Sequence, residues 1–157
     1  MSEFRVIVVP YDFSEHARAA LDEAADLARR LGSDLHLVHV LLSPIYTYSF
    51  AYAPEATAVV PPIDMTEVRE GAMKSLREVA AGIEIPGQIE CHVVEGASIA
   101  ETLRESVVEL GGDLIVMGTH GRTGLAHAFL GSVAERTLRA APCPVLTVQS
   151  RKEDSEH

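Results

Sequence analysis

Hydrophobic and polar positions along this chain fall into two patterns, short apolar runs and longer stripes of helical period. Short apolar runs rich in β-branched residues are typical of strands buried on both faces of a parallel sheet. Stretches in which apolar residues recur every three or four positions are typical of amphipathic helices. The patterns predict strands at residues 4–9, 35–42, 89–94, 114–117 and 145–148, and helices at residues 14–31, 64–83, 98–110 and 133–139.

Strands that alternate with helices along the whole chain predict an α/β fold. The expected architecture is a single doubly wound domain, with a five-stranded parallel sheet in the order 3-2-1-4-5 and helices on both faces. A length of 157 residues suits one domain, expected at residues 1–149 and followed by a polar tail at residues 150–157. Ligands of such sheets bind beyond the carboxyl ends of the strands where the winding reverses, here between strands one and four.

Local signals predict where the helices begin and end. Gly32 is expected to close the first helix. Ser98 and Glu101 have the spacing of a capping box, as do Ser132 and Glu135, with the serine as the N-cap residue in each case. The second helix is expected to open at Asp64 and to turn one side inward, namely Met65, Val68, Ala72, Leu76, Val79 and Ile83.

Composition and charge narrow the function classes. A formal net charge of -10 argues against a general affinity for nucleic acid or for an anionic membrane. No apolar run approaches the roughly 20 residues that span a bilayer. The first residues lack the basic and apolar regions of a secretory signal, so a cytoplasmic location is expected. Cys91 and Cys143 have no zinc-site or C-x-x-C spacing, which favours reduced and largely buried thiols.

The most informative motif follows the predicted fourth strand. Gly118 and Gly121 precede Gly131 and Ser132 in the spacing G-x2-G-x9-G-S. Glycines let backbone N–H groups approach an anion closely, and the start of the next helix supplies unpaired N–H groups and the positive end of a dipole. Arg122 adds a guanidinium that suits phosphate oxygens. The segment predicts a phosphate cradle, although tight turns and a capped helix would account for the same residues.

Other polar residues lie near the same predicted crevice or in the strands. Asp12 follows the first strand, where its carboxylate could accept ribose hydroxyls or hold Mg²⁺, and could equally cap the first helix or make an Asx-turn. His120 lies inside the glycine loop, in a position to contact phosphate. His36 and His39 face opposite sides of their strand and, with His92, are expected to be core or edge histidines rather than metal ligands.

Residues 43–63 form a long predicted connection that carries alternating aromatic residues from Tyr46 to Tyr52. Connections of this length without secondary structure are uncommon in compact domains. Four interpretations remain open: a lid, a partner-binding strand, a flap against a second subunit, or a surface loop without a defined function.

Several separated motifs together resemble the universal stress protein family. They are Pro10-Tyr-Asp12-Phe-Ser, His39-Val40, Val116-Met-Gly-Thr-His-Gly-Arg122, Gly131-Ser132-Val133 and Ala141-Pro-Cys-Pro-Val-Leu. The resemblance runs from about residue 3 to residue 149, and the glycine spacing is similar to that of the ATP-binding subgroup. It implies a five-stranded α/β fold, a homodimer often paired through the last strand, and an ATP-binding stress-response regulator that acts on an unidentified protein partner.

The resemblance also implies a role for individual residues around ATP. Pro10 and Asp12 would lie by the nucleoside and ribose, with Asp12 also near any Mg²⁺. Val40 would offer backbone groups to adenine, and Met117 and Gly118 would lie by the ribose and the phosphate entry. The phosphates would be held by Gly121, Arg122, Gly131, Ser132 and Val133.

Two other functions remain compatible with the sequence. No lysine precedes Gly131 and Ser132 as it would in a Walker motif, and no base is evident beside the glycine loop. Efficient catalysis is therefore not expected, and slow ATP hydrolysis is the enzymatic alternative. The other alternative is a dimeric protein-interaction module that binds no nucleotide.

Overall fold

The computed structural model describes residues 3–44, 64–120 and 130–150. Every predicted strand and helix has a counterpart within them. The strands are β1 (Val6–Pro10), β2 (Asp34–Leu42), β3 (Ile89–Gly96), β4 (Leu114–Gly118) and β5 (Val145–Val148). The helices are α1 (Glu15–Leu31), α2 (Thr66–Ala81), α3 (Ile99–Leu110) and α4 (Ser132–Ala140).

The strands form one parallel sheet in the order β3-β2-β1-β4-β5. The predicted doubly wound order is therefore confirmed. β1 lies at the centre, where Ile7 pairs with Leu35 on one side and with Leu114 on the other. A central parallel strand is covered on both faces, which explains why β1 and β4 are almost continuously apolar in sequence.

Alternate residues of the strands face two separate cores, one on each side of the sheet. Ile7 and Val9 face the core that contains α1 and Leu76 of α2, whereas Val8 faces the core that contains α3 and α4. Successive side chains of a strand point to opposite faces, so a short apolar strand serves both cores. The predicted helices on both faces of the sheet are confirmed.

Helix α1 is held against the sheet by a buried stripe of mostly small residues. Leu21 is fully buried, and burial of such a side chain contributes roughly 1.5–3 kcal/mol. The Ser14 hydroxyl accepts a hydrogen bond from the Ala17 N–H at 3.1 Å, which caps the first turn. Gly32 ends the helix in the left-handed conformation, with φ 70°, as predicted from its position.

Helix α2 differs from its prediction in its first residue and in its buried side. It begins at Thr66 rather than at Asp64, whose carboxylate accepts a hydrogen bond from the Thr66 N–H at 2.9 Å. Among the residues predicted to face inward, Leu76 is the one that is buried, and Val68 is 48% exposed. The prediction was wrong at Val68 because α2 packs over β3 and β2 at the edge of the sheet, where less surface is available to cover it.

Helix α3 begins after Ser98, as the capping-box spacing predicted, but without the predicted side-chain bonds. Within the described part of the chain the Ser98 side chain makes no capping hydrogen bond. Glu101 lies 3.3 Å from Arg104 on the exposed side of the helix instead. The spacing therefore located the helix start correctly and gave the wrong contacts.

Three predicted segments lie wholly or mostly outside the described residues. They are the aromatic connection at residues 45–63, the central part of the glycine loop at residues 121–129, and the tail at residues 151–157. Among the helices of the described ranges, none has the length and hydropathy needed to cross a membrane.

Candidate functional site

The carboxyl ends of β1 and β4 lie side by side at the centre of the sheet. The chain leaves β1 toward β2 and leaves β4 toward β5, so the winding reverses between these two strands. Such a reversal opens a crevice beyond the strand ends, which is the usual ligand position in open α/β sheets. The connection after β1 and the connection after β4 therefore meet at the candidate site.

The connection after β1 is closed by hydrogen bonds to itself and to β2. The Tyr11 N–H donates to the Val38 carbonyl at 2.9 Å, and the His39 Nδ1 lies 2.7 Å from the Tyr11 carbonyl oxygen. The Asp12 carboxylate accepts a hydrogen bond from the Ser14 N–H at 3.0 Å, which makes an Asx-turn. The sequence left two local roles open for Asp12, an Asx-turn and a helix cap. In the structure Asp12 makes the turn, and Ser14 caps α1 instead.

Phe13 lies between these two residues with its backbone in the left-handed region, at φ 64°. Residues other than glycine rarely adopt this conformation, and they keep it only where the surroundings outweigh its cost. The Phe13 ring packs edge-on, with 5.2 Å between its centroid and that of Tyr11 and 5.0 Å to that of His39. Aromatic packing therefore holds the strained residue in place at the edge of the crevice.

Gly118 ends β4 at a close approach to α1. A Cβ atom at this position would lie 2.8 Å from both the backbone carbonyl carbon and the carbonyl oxygen of His16. The two nearest obstructing atoms belong to the backbone, so a side chain at Gly118 would push β4 and α1 apart. This glycine has a packing role in addition to the ligand role that the resemblance implies.

His120, in the connection after β4, contacts His16 of α1, and His16 in turn contacts the chain after β5. The ring centroids of His16 and His120 are 5.2 Å apart, and the His16 Nδ1 lies 3.1 Å from the Ser150 hydroxyl. The His120 Nδ1 lies 3.0 Å from the Thr119 hydroxyl. Among the described residues the buried Nε2 of His120 has no hydrogen-bond partner, so a polar group entering from outside this set would satisfy it.

Helix α4 begins without the predicted side-chain cap. Gly131 is the N-cap residue and Ser132 is the first helical residue, so the predicted capping box led by Ser132 is wrong. Glu135 pairs with Arg139 at 2.9 Å instead of reaching back to the helix start. Ser132 is exposed, and its hydroxyl makes no hydrogen bond within the described part of the chain.

At the start of α4, one backbone N–H group donates a hydrogen bond and three have no acceptor among the described residues. The Gly131 N–H donates to the Thr119 carbonyl at 2.7 Å. The N–H groups of Ser132, Val133 and Ala134 precede the first intrahelical hydrogen bond and have no acceptor in the described residues. Free donors at the positive end of a helix dipole favour an anion.

The remaining residues predicted to line the site take different positions. Pro10 is the last residue of β1, and Val40 lies half-buried in β2. Met117 is 4% exposed and its side chain packs in the core beneath α3 and α4, so its backbone is the part that can face the crevice. Gly121 and Arg122 lie outside the described residues.

Sequence reasoning missed His16 and Ser150 as residues of this region. His16 lies in the first turn of α1, and Ser150 opens the segment predicted to be a polar tail. The only sequence signal for His16 is a polar residue in the first turn of the helix that follows the switch-point strand. Ser150 has no such signal, because its contact with His16 depends on the placement of β5 beside β4.

A separate open depression of about 620 Å³ lies along the exposed side of α2. All of its lining residues belong to this one helix, and its charged side chains are of both signs, such as Arg69, Glu70, Lys74 and Glu78. Charges of mixed sign along one helix do not converge on a ligand in the way that the groups of the crevice do. The crevice is therefore the better candidate site.

Comparison with known proteins identifies a family for nearly the whole chain. Residues 3–149 match the model of the Universal stress protein family. Universal stress protein MJ0531 of Methanocaldococcus jannaschii is 31% identical over 152 residues, which cover 96% of this chain and 85% of the relative. A universal stress protein of Thermus aquaticus is 31% identical over 149 residues, which cover 93% of this chain and 99% of the relative.

Solved structures share the same fold at lower identity. The structure of hypothetical protein MJ0577 has a TM-score of 0.76 at 24% identity and covers 97% of this chain and 100% of its own. A universal stress protein in complex with cAMP has a TM-score of 0.65 at 22% identity, covering 94% and 98%. The Archaeoglobus fulgidus universal stress protein in complex with dAMP has a TM-score of 0.54 at 23% identity, covering 93% and 98%.

Proposed function

The chain belongs to the universal stress protein family, and we propose that it is an ATP-binding regulatory protein of the stress response. The nucleotide would lie in the crevice between β1 and β4. The observation that carries the proposal is the start of α4, where successive backbone N–H groups have no acceptor among the described residues. The related folds in complex with cAMP and dAMP support an adenine nucleotide as the ligand.

The phosphates would be bound mainly by the backbone at the start of α4. The N–H groups of Ser132 and Val133, together with the exposed Ser132 hydroxyl, would donate to phosphate oxygens. The Gly131 N–H is already bonded to the Thr119 carbonyl, so Gly131 would contribute by leaving space rather than by donating. Gly121 and Arg122 would complete the phosphate contacts, with Arg122 supplying the positive charge.

The nucleoside would lie on the β1 side of the crevice. The Asp12 carboxylate would accept ribose hydroxyls, and backbone groups of Val40 would meet adenine. Pro10 would lie beside the nucleoside, and the backbone of Met117 and Gly118 would lie beside the ribose and the phosphate entry. Because the Asx-turn fixes Asp12 before any ligand binds, little ordering would be needed on this side.

Asp12 is also the residue proposed to hold Mg²⁺ if the metal accompanies ATP. Mg²⁺ prefers oxygen ligands, keeps several waters, and is commonly shared between one or two carboxylates and the phosphates. Asp12 is half-buried at the strand end and accepts the Ser14 N–H through Oδ1. A single protein carboxylate beside phosphate would make Mg²⁺ a companion of the nucleotide rather than an independently bound ion.

Regulation would follow from a difference in ATP affinity between two arrangements of the protein. A ligand shifts such an equilibrium only by its differential affinity for the two states. One arrangement is proposed to be a homodimer paired through β5, which among the described strands has only β4 as a neighbour and leaves Leu146 37% exposed. An unidentified protein partner would then read the nucleotide-bound state.

Slow ATP hydrolysis is the second candidate function. His120 favours it, because its Nε2 has no partner in the described part of the chain and could accept a proton from a water molecule near phosphate. Release of ADP and phosphate measured over hours would detect this activity. A His120→Gln variant should lose it and keep ATP binding if the imidazole is the base.

The proposed function is tested first by identifying what the purified protein carries. The protein is denatured by heat, and the supernatant is separated by ion exchange against ATP, ADP and AMP standards. Near-stoichiometric ATP is expected. An empty protein whose melting temperature also fails to rise on addition of ATP with Mg²⁺ would overturn nucleotide binding and leave the dimeric interaction module.

A matched pair of glycine variants then tests the position of the phosphates. Gly131 has φ −61° and ψ 158°, a conformation open to any residue, so Gly131→Val should fold and obstruct the phosphate path. ATP affinity measured by calorimetry should fall at least about tenfold, the effect of losing roughly one charge-assisted hydrogen bond. Gly71→Val places the same side chain on α2, where a Cβ atom meets nothing within 4 Å, and should leave affinity unchanged. Equal affinity in both variants would show that the pocket is elsewhere.

A further inference from the structure

Three metal-ligating side chains lie together on β2 and β3, away from the carboxyl ends of the strands. His36 is the third residue of β2, and Glu90 and His92 are the second and fourth residues of β3. His36 is the register partner of Glu90, and His92 is the register partner of Val38. Residues two apart in a strand share a face, so all three side chains lie on the face that α3 and α4 cover.

The donor atoms of these side chains are close to one another. The His36 Nδ1 lies 2.9 Å from the His92 Nε2. The Glu90 Oε2 lies 3.7 Å from the first nitrogen and 3.6 Å from the second. One potential ligand atom from each of three residues therefore lies within 3.7 Å of the other two.

These spacings match the separation of ligands around a tetrahedral metal ion. Zinc–nitrogen bonds of about 2.0–2.1 Å at the tetrahedral angle put neighbouring ligand atoms about 3.3 Å apart. The three distances, 2.9, 3.6 and 3.7 Å, lie on either side of that value. Side-chain adjustments of a few tenths of an ångström would bring all three distances to that value.

The two histidines of the cluster are mostly buried, whereas the glutamate is accessible to solvent. The side chains of His36 and His92 are 12% and 25% exposed, and their rings stack at an interplanar angle of 16°. The Glu90 side chain is 52% exposed, so an ion can reach the cluster from solvent. Fixed imidazoles with one accessible carboxylate leave a fourth position open to water, as in zinc sites with three protein ligands.

The two imidazoles are joined by a hydrogen bond between the His36 Nδ1 and the His92 Nε2. A neutral imidazole pair shares one proton in a hydrogen bond, with one nitrogen donating and the other accepting. When a metal ion binds, the donating ring would carry its proton on its other nitrogen, so that His36 Nδ1 and His92 Nε2 would both offer lone pairs to the ion.

We propose that His36 Nδ1, Glu90 Oε2 and His92 Nε2 form a binding site for a divalent transition-metal ion of the zinc class, with water as the fourth ligand. Two imidazoles and a carboxylate suit such ions better than Mg²⁺ or Ca²⁺, which take oxygen ligands. The site is separate from Asp12 and needs no nucleotide. Bound metal joins β3, the edge strand, to β2, and so raises the stability of the fold.

The test uses full-length protein without an affinity tag, freed of nucleotide because ATP itself binds zinc. Zn²⁺ at about 100 times its dissociation constant should raise the melting temperature by about 5–10 °C, and Mg²⁺ should not. Calorimetry should show one zinc ion per chain. In long-range NMR spectra of the imidazole nitrogens, the signals of His36 and His92 should shift, and those of the chain's other histidines should not.

Two ligand variants and two controls locate the zinc. Glu90→Gln and His92→Asn should each weaken zinc binding at least about tenfold, and Glu90→Gln changes an exposed group that the fold does not need. Glu95→Gln removes a carboxylate from the other face of β3 and should leave zinc affinity unchanged, as should Cys91→Ser. Failure of zinc to bind, an affinity in both ligand variants equal to that of the parent protein, or a loss confined to Cys91→Ser would overturn the proposal.

Discussion

The two connections that meet at the crevice are built in opposite ways. After β1, the side chains of Asp12, Ser14 and His39 make hydrogen bonds to the backbone, which close the loop and cap the Ala17 N–H in the first turn of α1. After β4, the described contacts of the backbone are a few bonds such as that from Gly131 to Thr119, and α4 has no side-chain cap from any described residue. Two helix starts at the same edge of one sheet therefore differ in how many donors they leave unused.

The difference indicates that the connection after β1 maintains its own conformation, whereas the start of α4 is suited to bind a ligand. A loop whose polar groups are satisfied internally keeps its conformation without help, whereas a helix start with unused N–H groups gains most when an acceptor arrives. Substitutions in the first connection should therefore lower the free energy of unfolding. Substitutions at the start of α4 should lower ligand affinity and leave the free energy of unfolding nearly unchanged.

Gly118, where the two connections touch, should give the largest effect on stability. Gly118→Ala puts a Cβ atom within 2.8 Å of the His16 backbone, and overpacking of this kind costs about 1–3 kcal/mol. Urea unfolding measures the loss. Gly71→Ala is the control, since its Cβ atom meets nothing within 4 Å and the change favours helix. An unchanged urea midpoint in Gly118→Ala would mean that α1 moves aside freely and that the two connections are not coupled.

Ser14→Ala should have the next largest effect, because it removes the side-chain cap of α1. The Ala17 N–H loses its acceptor, and loss of an N-cap costs about 1 kcal/mol. The urea midpoint should fall accordingly. Ser14→Asp can accept the same hydrogen bond and should recover most of the lost stability. Equal stability of all three proteins would show that the cap does not stabilise α1.

Substitutions of Asp12 should have a smaller effect on stability, and its size should depend on whether an acceptor oxygen remains. Asp12→Ala loses the bond from the Ser14 N–H and should cost about 0.5–1 kcal/mol, whereas Asp12→Asn keeps an acceptor oxygen and most of that stability. Calorimetry with and without Mg²⁺ then tests the ligand role of the charge. If Asp12→Asn binds ATP with the same Mg²⁺ dependence as the parent protein, the carboxylate does not hold the metal.

Ser132→Ala should have the smallest effect on stability and a clear effect on binding. Ser132 is exposed and caps nothing in the described structure, so the free energy of unfolding should change by less than about 0.5 kcal/mol. ATP affinity should fall, because a phosphate donor is lost. A drop in stability close to that of Ser14→Ala would show that Ser132 does cap α4 and that the two helix starts do not differ.

The sequence predicted the sheet order and the meeting of the two connections because both depend on repeating patterns. The unbroken apolar strands are local signals, and the two cores confirm them. The glycine after α1 is another local signal, and it does end the helix. The cap of α4 was predicted wrongly because the Ser132 and Glu135 spacing competes with a long-range bond, in which Gly131 is held by Thr119. The cluster of His36 and His92 was missed because strand register, rather than spacing along the chain, brings these residues together.

The bond between the Gly131 N–H and the Thr119 carbonyl has a consequence for how the glycine loop can vary. It joins the two ends of the segment at residues 120–130 through the backbone, whichever side chains lie between them. The entropy of closing the loop is then lost on folding rather than on binding, and doubling the length of such a loop adds only about 0.6 kcal/mol. The interior of the loop can therefore lengthen or change in composition while the start of α4 stays in place.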